Sequence, residues 1–279
     1  MAKNHVIRIQ CQDQKGLIAK ISGILFEHKH NVLLMKEFVD LKTNSFFARL
    51  ELSGELHTKK IIKELQSVLP AGADIEIIPK QKKRLIILAS KEHHCLTDLL
   101  IRFHFGELHA NILSVISNHT ILSEICSRFE IPFHFISHDL RSKIEFETEL
   151  MGNIADYQPD LIVLAKFMRI LSPGFVHQFK DKIINIHHSF LPAFIGAHPY
   201  KQAFERGVKI IGATAHFVND TLDDGPIISQ KTIEVDHEYE LTDLIESGHE
   251  IEKAVLADAL HKVLADKVFI SNNKTIILD

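Results

Sequence analysis

Short apolar segments that alternate with helical ones constrain the fold of this 279-residue chain more than any other feature. The segments LIILAS (85–90), LIVLAK (161–166) and IINIH (183–187) are apolar over almost their whole length. Such segments are typical of strands buried on both faces of a parallel sheet. Because amphipathic helical patterns separate them, residues 85–279 are predicted to form an α/β domain with a Rossmann-like, mainly parallel sheet.

The first 80 residues have a different pattern, which indicates a separate module. Apolar residues alternate from His5 to Gln12, and residues 32–41 and 45–52 are rich in β-forming side chains. Apolar residues at helical spacing follow the first and the third of these strands. With a last strand at 74–78, the order is βαββαβ, a ferredoxin-like arrangement. Residues 81–84 are expected to link this module to the α/β domain.

The composition argues against several classes of protein. The net charge is −4, with Lys and Arg spread along the chain, so we expect no nucleic-acid partner. No apolar run approaches the roughly 18 residues of a membrane helix, and the segment MAKNHVIRIQ (1–10) lacks the apolar core of a signal peptide. Cys11, Cys95 and Cys126 form no CxxC pair, which fits the cytoplasm. The 19 histidines include no HExxH pattern, so we expect no metal.

The first strand-to-helix turn of the α/β domain reads SKEHHC (90–95) and contains no glycine. A dinucleotide or P-loop site needs glycine there, because backbone N–H groups must approach phosphate closely. The side chain of Glu92 also repels an anion. The turn therefore argues against NAD, FAD and ATP as ligands.

Polar residues interrupt and end the strand IINIH. Asn185 and His187 are two residues apart, so their side chains share one face of the strand. Burying them is costly unless each polar group finds a hydrogen-bond partner. Two interpretations remain open: the side chains bond to loop backbone, or they belong to a site.

A second polar segment, HFVNDTLDDGP (216–226), leads from a strand into an acidic turn. Asp-Asp-Gly-Pro is an ordinary turn signal, and the side chain of Asp223 can bond to its own backbone there. Together with an imidazole and an amide, however, a carboxylate provides the groups that catalyse acyl transfer or hydrolysis. The three groups supply a base or orienting group, a proton carrier and an oxyanion donor.

Several motifs resemble those of the folate-dependent formyltransferase and deformylase superfamily. They are NIHHSFLP (185–192), HFVNDTLDDGPII (216–228), AKFMRILSPGF (165–175) and GAHPYKQAFERGVKIIGATAHFV (196–218). The resemblance covers about residues 84–279. The segment DQKGL (13–17) is similar to the Asp-x-x-Gly-Leu opening of an ACT domain, with Lys15 where proline is common.

An ACT module followed by this catalytic domain is the architecture of the formyltetrahydrofolate deformylases. The resemblance implies hydrolysis of 10-formyltetrahydrofolate to tetrahydrofolate and formate, with formate supplied for purine synthesis and no cofactor. Two features favour a deformylase over a transferase. His188 stands where glycinamide ribonucleotide transferases usually carry proline, and the turn 90–95 lacks the glycine that cradles the phosphate of their acceptor.

The resemblance also implies roles for individual residues. The expected catalytic residues are Asn185, His187 and Asp223, with Ser189 and His216 as supports. The expected folate-binding residues are Phe167, Met168, Arg169, Ile170, Leu171, Asn219 and Asp220. Tyr200, Lys201, His188 and His198 lie near the motifs, but no role is assigned to them.

In the ACT module, the residues expected to bind an effector are Asp13, Lys15, Gly16 and Leu17. A helix N-terminus suits the carboxylate of an amino acid such as glycine or methionine. The alternative is a purely structural module that pairs subunits. In either case the chain is expected to form a homo-oligomer, a dimer or a tetramer.

Two rival functions stay open. The first is a formyltransferase that acts on an amine acceptor such as glycinamide ribonucleotide; formate release with water alone distinguishes it. The second is a sensor without activity, in which the α/β domain only binds folate. Turnover of 10-formyltetrahydrofolate decides against that one.

Overall fold

The computed structural model describes residues 4–192 and 199–279. It divides into two compact units. The first contains the residues up to Gln81 together with Ala265–Phe269 and Ile276–Asp279. The second contains Lys82–Leu264 and Ile270–Thr275.

The first unit has the predicted βαββαβ order. Its elements are β1 (His5–Gln12), α1 (Leu17–Glu27), β2 (Asn31–Asp40), β3 (Ser45–Ser53), α2 (Thr58–Val68) and β4 (Asp74–Pro79). The strands form an antiparallel sheet in the order β2-β3-β1-β4. Alternation in β1 and β3 directs apolar side chains such as Ile7, Ile9 and Leu50 onto the two helices, where each is fully buried.

The C-terminal segments cover further residues of β3. The ring of Phe47 packs against Phe269, Ile276 and Leu278, and the guanidinium of Arg49 donates to the carbonyl oxygen of Ala265. Arg49 is only 2% exposed. These segments therefore belong to the first unit, whereas the sequence assigned all of residues 85–279 to the second.

The second unit begins earlier than the sequence indicated, because Lys83 and Arg84 are the first residues of a strand and not part of a linker. Its strands are β5 (Lys83–Ala89), β6 (Ala110–Ser117), β7 (Phe133–Phe135), β8 (Leu161–Leu164), β9 (Ile183–His187), β10 (Ile210–Phe217) and β11 (Ile227–Glu234). Its helices are α3 (His94–His104), α4 (Ser123–Arg128), α5 (Lys143–Tyr157), α6 (Pro173–Gln178), α7 (Pro199–Arg206) and α8 (Leu241–Leu264). A hairpin of β12 (Val268–Ser271) and β13 (Lys274–Ile277) ends the chain.

The seven strands of the second unit form one sheet in the order β11-β10-β9-β8-β5-β6-β7. The pairs from β9 to β7 are parallel, and β10 is antiparallel to both β9 and β11. This confirms the mainly parallel α/β sheet. The strand order reverses between β5 and β8, and ligands of such sheets bind at that point beside the carboxyl ends of the strands.

The strand β8 is two residues shorter than predicted. Lys166 has a backbone φ of 60°, a left-handed conformation that cannot continue a strand. The chain turns there and runs as a loop to Ser172, which caps α6 through its side chain. The loop 165–172 therefore lies at the reversal of the strand order, beside the turn that follows β5.

Among the described helices, none combines the length and the apolar character that crossing a membrane requires.

Candidate active site

A cavity of about 410 Å³ lies at the carboxyl ends of β8 and β9. Three segments supply all of its lining except Val176 of α6: the end of β8 with the loop after it, the end of β9, and the end of β10 with the loop that follows it. Its lining residues are Leu164, Lys166–Leu171, Val176, Asn185–His188, His216 and Val218–Asp223. The predicted catalytic residues Asn185, His187 and Asp223 are all among them, so the two separated motifs meet at one cavity.

The antiparallel pairing of β9 and β10 places His216 directly opposite Asn185. The Nδ1–H of His216 donates to the carbonyl oxygen of Phe217 at 2.8 Å, which leaves Nε2 as an acceptor. The amide Nδ2 of Asn185 lies 3.2 Å from this Nε2 and donates one hydrogen to it. The orientation of the amide is thereby fixed, and its second N–H hydrogen remains for another acceptor.

His187 and Asp223 form the second contact of the site. His187 Nδ1 lies 3.3 Å from Asp223 Oδ1, so this nitrogen donates to the carboxylate. The other ring nitrogen, Nε2, is buried and has no hydrogen-bond partner among the described residues. An unsatisfied buried polar atom costs about 1–3 kcal/mol, so its position in the wall of a cavity needs an explanation. Nε2 is therefore the atom that a bound substrate can use.

The loop that carries Asp223 is held by side-chain amides. Asp223 itself has a backbone φ of 55°. The amide of Asn273, in the turn between β12 and β13, donates to the carbonyl oxygen of Asp224 at 2.8 Å, and Asn219 donates to the same oxygen at 3.3 Å. At Gly225 a Cβ atom would lie 1.6 Å from the carbonyl oxygen of Phe217, so only glycine permits this approach of the loop to β10.

Burial and neighbouring charges set the protonation of the site. Burial lowers the pKa of His216, so its ring stays neutral and Nε2 keeps the lone pair that Asn185 needs. Burial alone would raise the pKa of Asp223, but the hydrogen bond from His187 and the nearby imidazoles outweigh it and lower that pKa. Asp223 is therefore a carboxylate at neutral pH.

The seven residues predicted to bind folate all line the cavity, but they differ in character. Phe167 is 6% exposed and packs in the core, whereas Met168 and Ile170 are 58% and 64% exposed. The backbone N–H of Met168 donates to Ser90 Oγ at 2.9 Å, which anchors the loop 165–172 to the turn after β5. Asp220 pairs with His177 at 2.6 Å on the protein surface.

The two residues predicted as supports occupy different positions. His216 bonds to Asn185 as described, whereas Ser189 does not line the cavity and is 4% exposed. The carbonyl oxygen of Ser189 accepts from Thr214 Oγ1, and this hydroxyl oxygen in turn accepts from the backbone N–H of Leu191. Ser189 therefore belongs to a backbone turn that β10 holds in place. His198 lies outside the described residues.

A charged network beside the cavity was not foreseen from the sequence. It consists of Glu92, His94, Lys166, Tyr200 and Glu252. The carboxylate of Glu252 is fully buried and receives His94 Nε2 at 2.8 Å, Lys166 Nζ at 3.1 Å and the hydroxyl of Tyr200 at 2.5 Å. Lys166 Nζ also lies 3.5 Å from Glu92. Although burial opposes ionisation, these donors lower the pKa of Glu252 to about 2.

The side chain of Tyr200 can contact Glu252 because α8 has no side chain at Gly248. At Gly248 a Cβ atom would lie 2.2 Å from the Tyr200 ring, so a larger residue would displace the ring. His94 stacks on His249 with ring centroids 3.9 Å apart. Atoms of Glu92, His94 and His249 lie close enough to share a cation, but the ammonium of Lys166 already supplies positive charge to Glu92 and Glu252.

The predicted effector residues occupy the start of α1 in the first unit. Gly16, with a φ of 87°, precedes the helix, and Lys15 is exposed. Leu17 is 2% exposed and packs in the core, so its side chain is not available to a ligand. The backbone N–H of Asp13 donates to the carbonyl oxygen of Asn44.

Comparisons with known proteins agree with this geometry. Residues 83–260 match the family model described as formyl transferase, and residues 5–70 match the ACT domain. The chain is 52% identical over 273 residues to the formyltetrahydrofolate deformylase of Escherichia coli O6:H1, with 98% of each chain covered.

Solved structures of a deformylase and of a transformylase match the chain to different extents. A formyltetrahydrofolate deformylase from Pseudomonas syringae pv. tomato has a TM-score of 0.95 at 36% identity, covering 100% of this chain and 95% of that one. Glycinamide ribonucleotide transformylase 1 from Symbiobacterium toebii has a TM-score of 0.69 at 28% identity, covering 75% of this chain and 100% of that one. By full-length similarity, the chain belongs to the formyltetrahydrofolate deformylase family.

Proposed function

We propose that the protein hydrolyses 10-formyltetrahydrofolate to tetrahydrofolate and formate. The observation that carries this proposal is the convergence of Asn185, His187 and Asp223 on one cavity. Deformylase relatives match over the whole length of the chain, whereas the transformylase from Symbiobacterium toebii covers only 75% of it.

The amide of Asn185 stabilises the oxyanion. Water attacks the formyl carbon, a C–O bond forms, and negative charge develops on the formyl oxygen. Because His216 holds one amide hydrogen and fixes the orientation, the second N–H of Asn185 is ready to donate before the reaction begins. Removal of one such donor typically lowers the rate about 100- to 1000-fold.

His187 and Asp223 move the protons. The attacking water loses a proton to this pair, in which the carboxylate holds Nδ1–H and so directs the Nε2 lone pair of His187 to the site. The bond between the formyl carbon and the folate nitrogen then breaks, and His187 returns a proton to that nitrogen. Formic acid ionises at neutral pH, so one proton is released in each turnover.

The loop after β8 supplies the folate pocket. Exposed Met168 and Ile170 offer apolar surface to a flat ring, and the backbone groups of residues 167–171 offer donors and acceptors at the carboxyl edge of the sheet. Asn219 and Asp220 contribute polar groups from the loop after β10.

Release of formate tests the proposal. Purified protein should convert 10-formyltetrahydrofolate into equal amounts of formate and tetrahydrofolate in water, with no amine added. Turnover that depends on glycinamide ribonucleotide, with a formylated amine as the product, would replace the hydrolase by the transferase. Absence of turnover under both conditions would favour the sensor.

We further propose an effector for the first unit, an oligomeric state and a cellular compartment. The ACT match supports an amino-acid effector, glycine or methionine, bound at the start of α1. The protein forms a homo-oligomer through this unit. Its three free, buried cysteines suit the cytoplasm. Titration with each amino acid during the formate assay, and light scattering of the purified protein, test the first two statements.

A further inference from the structure

Hydrolysis requires a group that holds water beside the formyl carbon, and this inference therefore rests on the proposed function. Two histidines of the cavity, His216 and His187, are already engaged and cannot hold this water. Both nitrogens of His216 are used, one by Phe217 and one by Asn185. His187 has one nitrogen on Asp223 and needs the other for proton transfer.

His188 lines the same cavity and takes no part in these contacts. Its ring centroid lies 5.1 Å from that of His187 and 6.1 Å from that of Tyr200. Consecutive side chains of a strand point to opposite faces, but β9 ends at His187, so both rings can reach the cavity. Within residues 4–192 and 199–279, neither ring nitrogen of His188 has a hydrogen-bond partner.

We propose that His188 is a further catalytic residue, which binds the attacking water through a ring nitrogen and orients the water oxygen towards the formyl carbon. One O–H of the water donates to the lone pair of His188. The other O–H faces the His187–Asp223 pair, which receives the proton. His188 holds the water without taking its proton.

The surroundings of His188 support this role because they keep its ring uncharged. Burial, followed by the nearby ammonium of Lys166, lowers the pKa of His188 to about 3. The ring is therefore neutral at neutral pH and keeps a lone pair for the water. A ring with so low a pKa is also a poor base, which agrees with a role in binding water and not in removing its proton.

Lys166 can act on His188 because its own position is fixed. Its side chain is 3% exposed, and its ammonium lies 3.1 Å from the carboxylate of Glu252 and 3.5 Å from that of Glu92. Tyr200, which flanks the ring of His188, is held by the same Glu252. The network therefore fixes two neighbours of His188, and one of them, Lys166, adds to the effect of burial on its charge.

Two substitutions at one position test the proposal. His188→Leu removes the acceptor at similar size, whereas His188→Gln keeps an acceptor oxygen. Since misplacement of a reactant by about 1 Å can cost roughly 100-fold, we expect kcat for formate release to fall about 100-fold in His188→Leu. His188→Gln should retain at least a tenth of the wild-type kcat, and KM should change less than about threefold in both variants.

Controls distinguish the possible failures. His261→Leu, on the exposed side of α8 and outside the cavity, should leave kcat unchanged. Tetrahydrofolate affinity and thermal unfolding of His188→Leu should match the wild type, which excludes a folding defect. Near-normal kcat in His188→Leu, or equal losses in the Leu and Gln variants, would overturn the role of His188. If the wild-type protein itself releases no formate, the proposed function fails instead.

Discussion

The catalytic cluster, formed by Asn185, His187, His216 and Asp223, differs from the charged network in how its polar atoms are satisfied. In the network, the buried Glu252 receives three donors and the ammonium of Lys166 contacts two carboxylates. In the cluster, Nε2 of His187 is buried without a partner among the described residues, and one amide hydrogen of Asn185 remains for a ligand.

This difference separates two uses of buried polar groups. A fully paired network is costly to disturb, because removal of one member leaves an uncompensated charge in the interior. An incompletely paired cluster gives up some stability and holds donors and acceptors ready for a ligand. Substitutions in the network should therefore act mainly on folding, and those in the cluster mainly on turnover.

The largest effect is expected at Glu252. Glu252→Gln removes the charge that neutralises Lys166, and breaking a buried pair in this way typically costs about 3–5 kcal/mol of folding free energy. Urea unfolding followed by circular dichroism measures the loss. The matched control is Glu205→Gln on α7, whose exposed ion pair with Lys201 should contribute little. Equal stability of the two variants would contradict a structural role of the charged network.

Asn185→Ala should mainly reduce turnover, whereas Glu252→Gln should mainly reduce stability. Loss of its amide should lower kcat about 100- to 1000-fold, because a donor to the oxyanion disappears. The change in unfolding midpoint should be small beside that of Glu252→Gln. Steady-state formate release and urea unfolding on the same preparation decide the point. A variant that loses stability but keeps its kcat would place Asn185 with the structural groups.

Acid should weaken the network through Glu252. Its pKa is lowered to about 2 in the folded protein, so its contribution to stability is fully present above the unfolded pKa of about 4.5. The contribution, about 3 kcal/mol from that shift, is lost as the pH falls from 4.5 towards 2. The stability difference between the wild type and Glu252→Gln should therefore narrow on acidification. A constant difference between pH 6 and pH 3 would argue against an ionised Glu252.

The smallest effect is expected at Asn273, which lies outside the cavity. Asn273→Ala removes a hydrogen bond to the loop of Asp223, and a typical bond of this kind contributes about 1 kcal/mol. We expect kcat to fall several-fold with KM almost unchanged. Asn272→Ala, at the neighbouring turn position, is the control. A larger loss in the control would show that turn geometry matters and not the bond to Asp224.

The resemblance to the formyltransferase and deformylase superfamily named Asn185, His187 and Asp223 as one set, whereas it assigned no role to any member of the network. The structure explains why the three meet, because Asn185 and His187 share one face of β9 and Asp223 follows β10, which pairs with it. The partners His94 and Glu252 are 158 residues apart in the chain. Lys166 and Tyr200 come from two further segments, and no short-range pattern relates the four.

In the fold, too, features that depend on neighbouring residues are easier to predict than features that depend on distant ones. Helix α5 (Lys143–Tyr157) begins at a capping box of Ser142 and Glu145, two residues that lie only three positions apart in the sequence. The turn at Lys166 was missed, since its left-handed backbone is not typical of lysine. The assignment of Phe269 and Leu278 to the first unit depends on packing against Phe47, which lies more than two hundred residues earlier.

The central claim is that Asn185 and Asp223 act on the same carbonyl carbon. The most direct test compares kcat for formate release in Asn185→Ala, Asp223→Asn and the double variant. Residues that act as one unit give strongly non-additive losses, so the double variant should be little slower than the slower single variant. Losses that multiply, or near-normal turnover in either single variant, would contradict a shared catalytic centre.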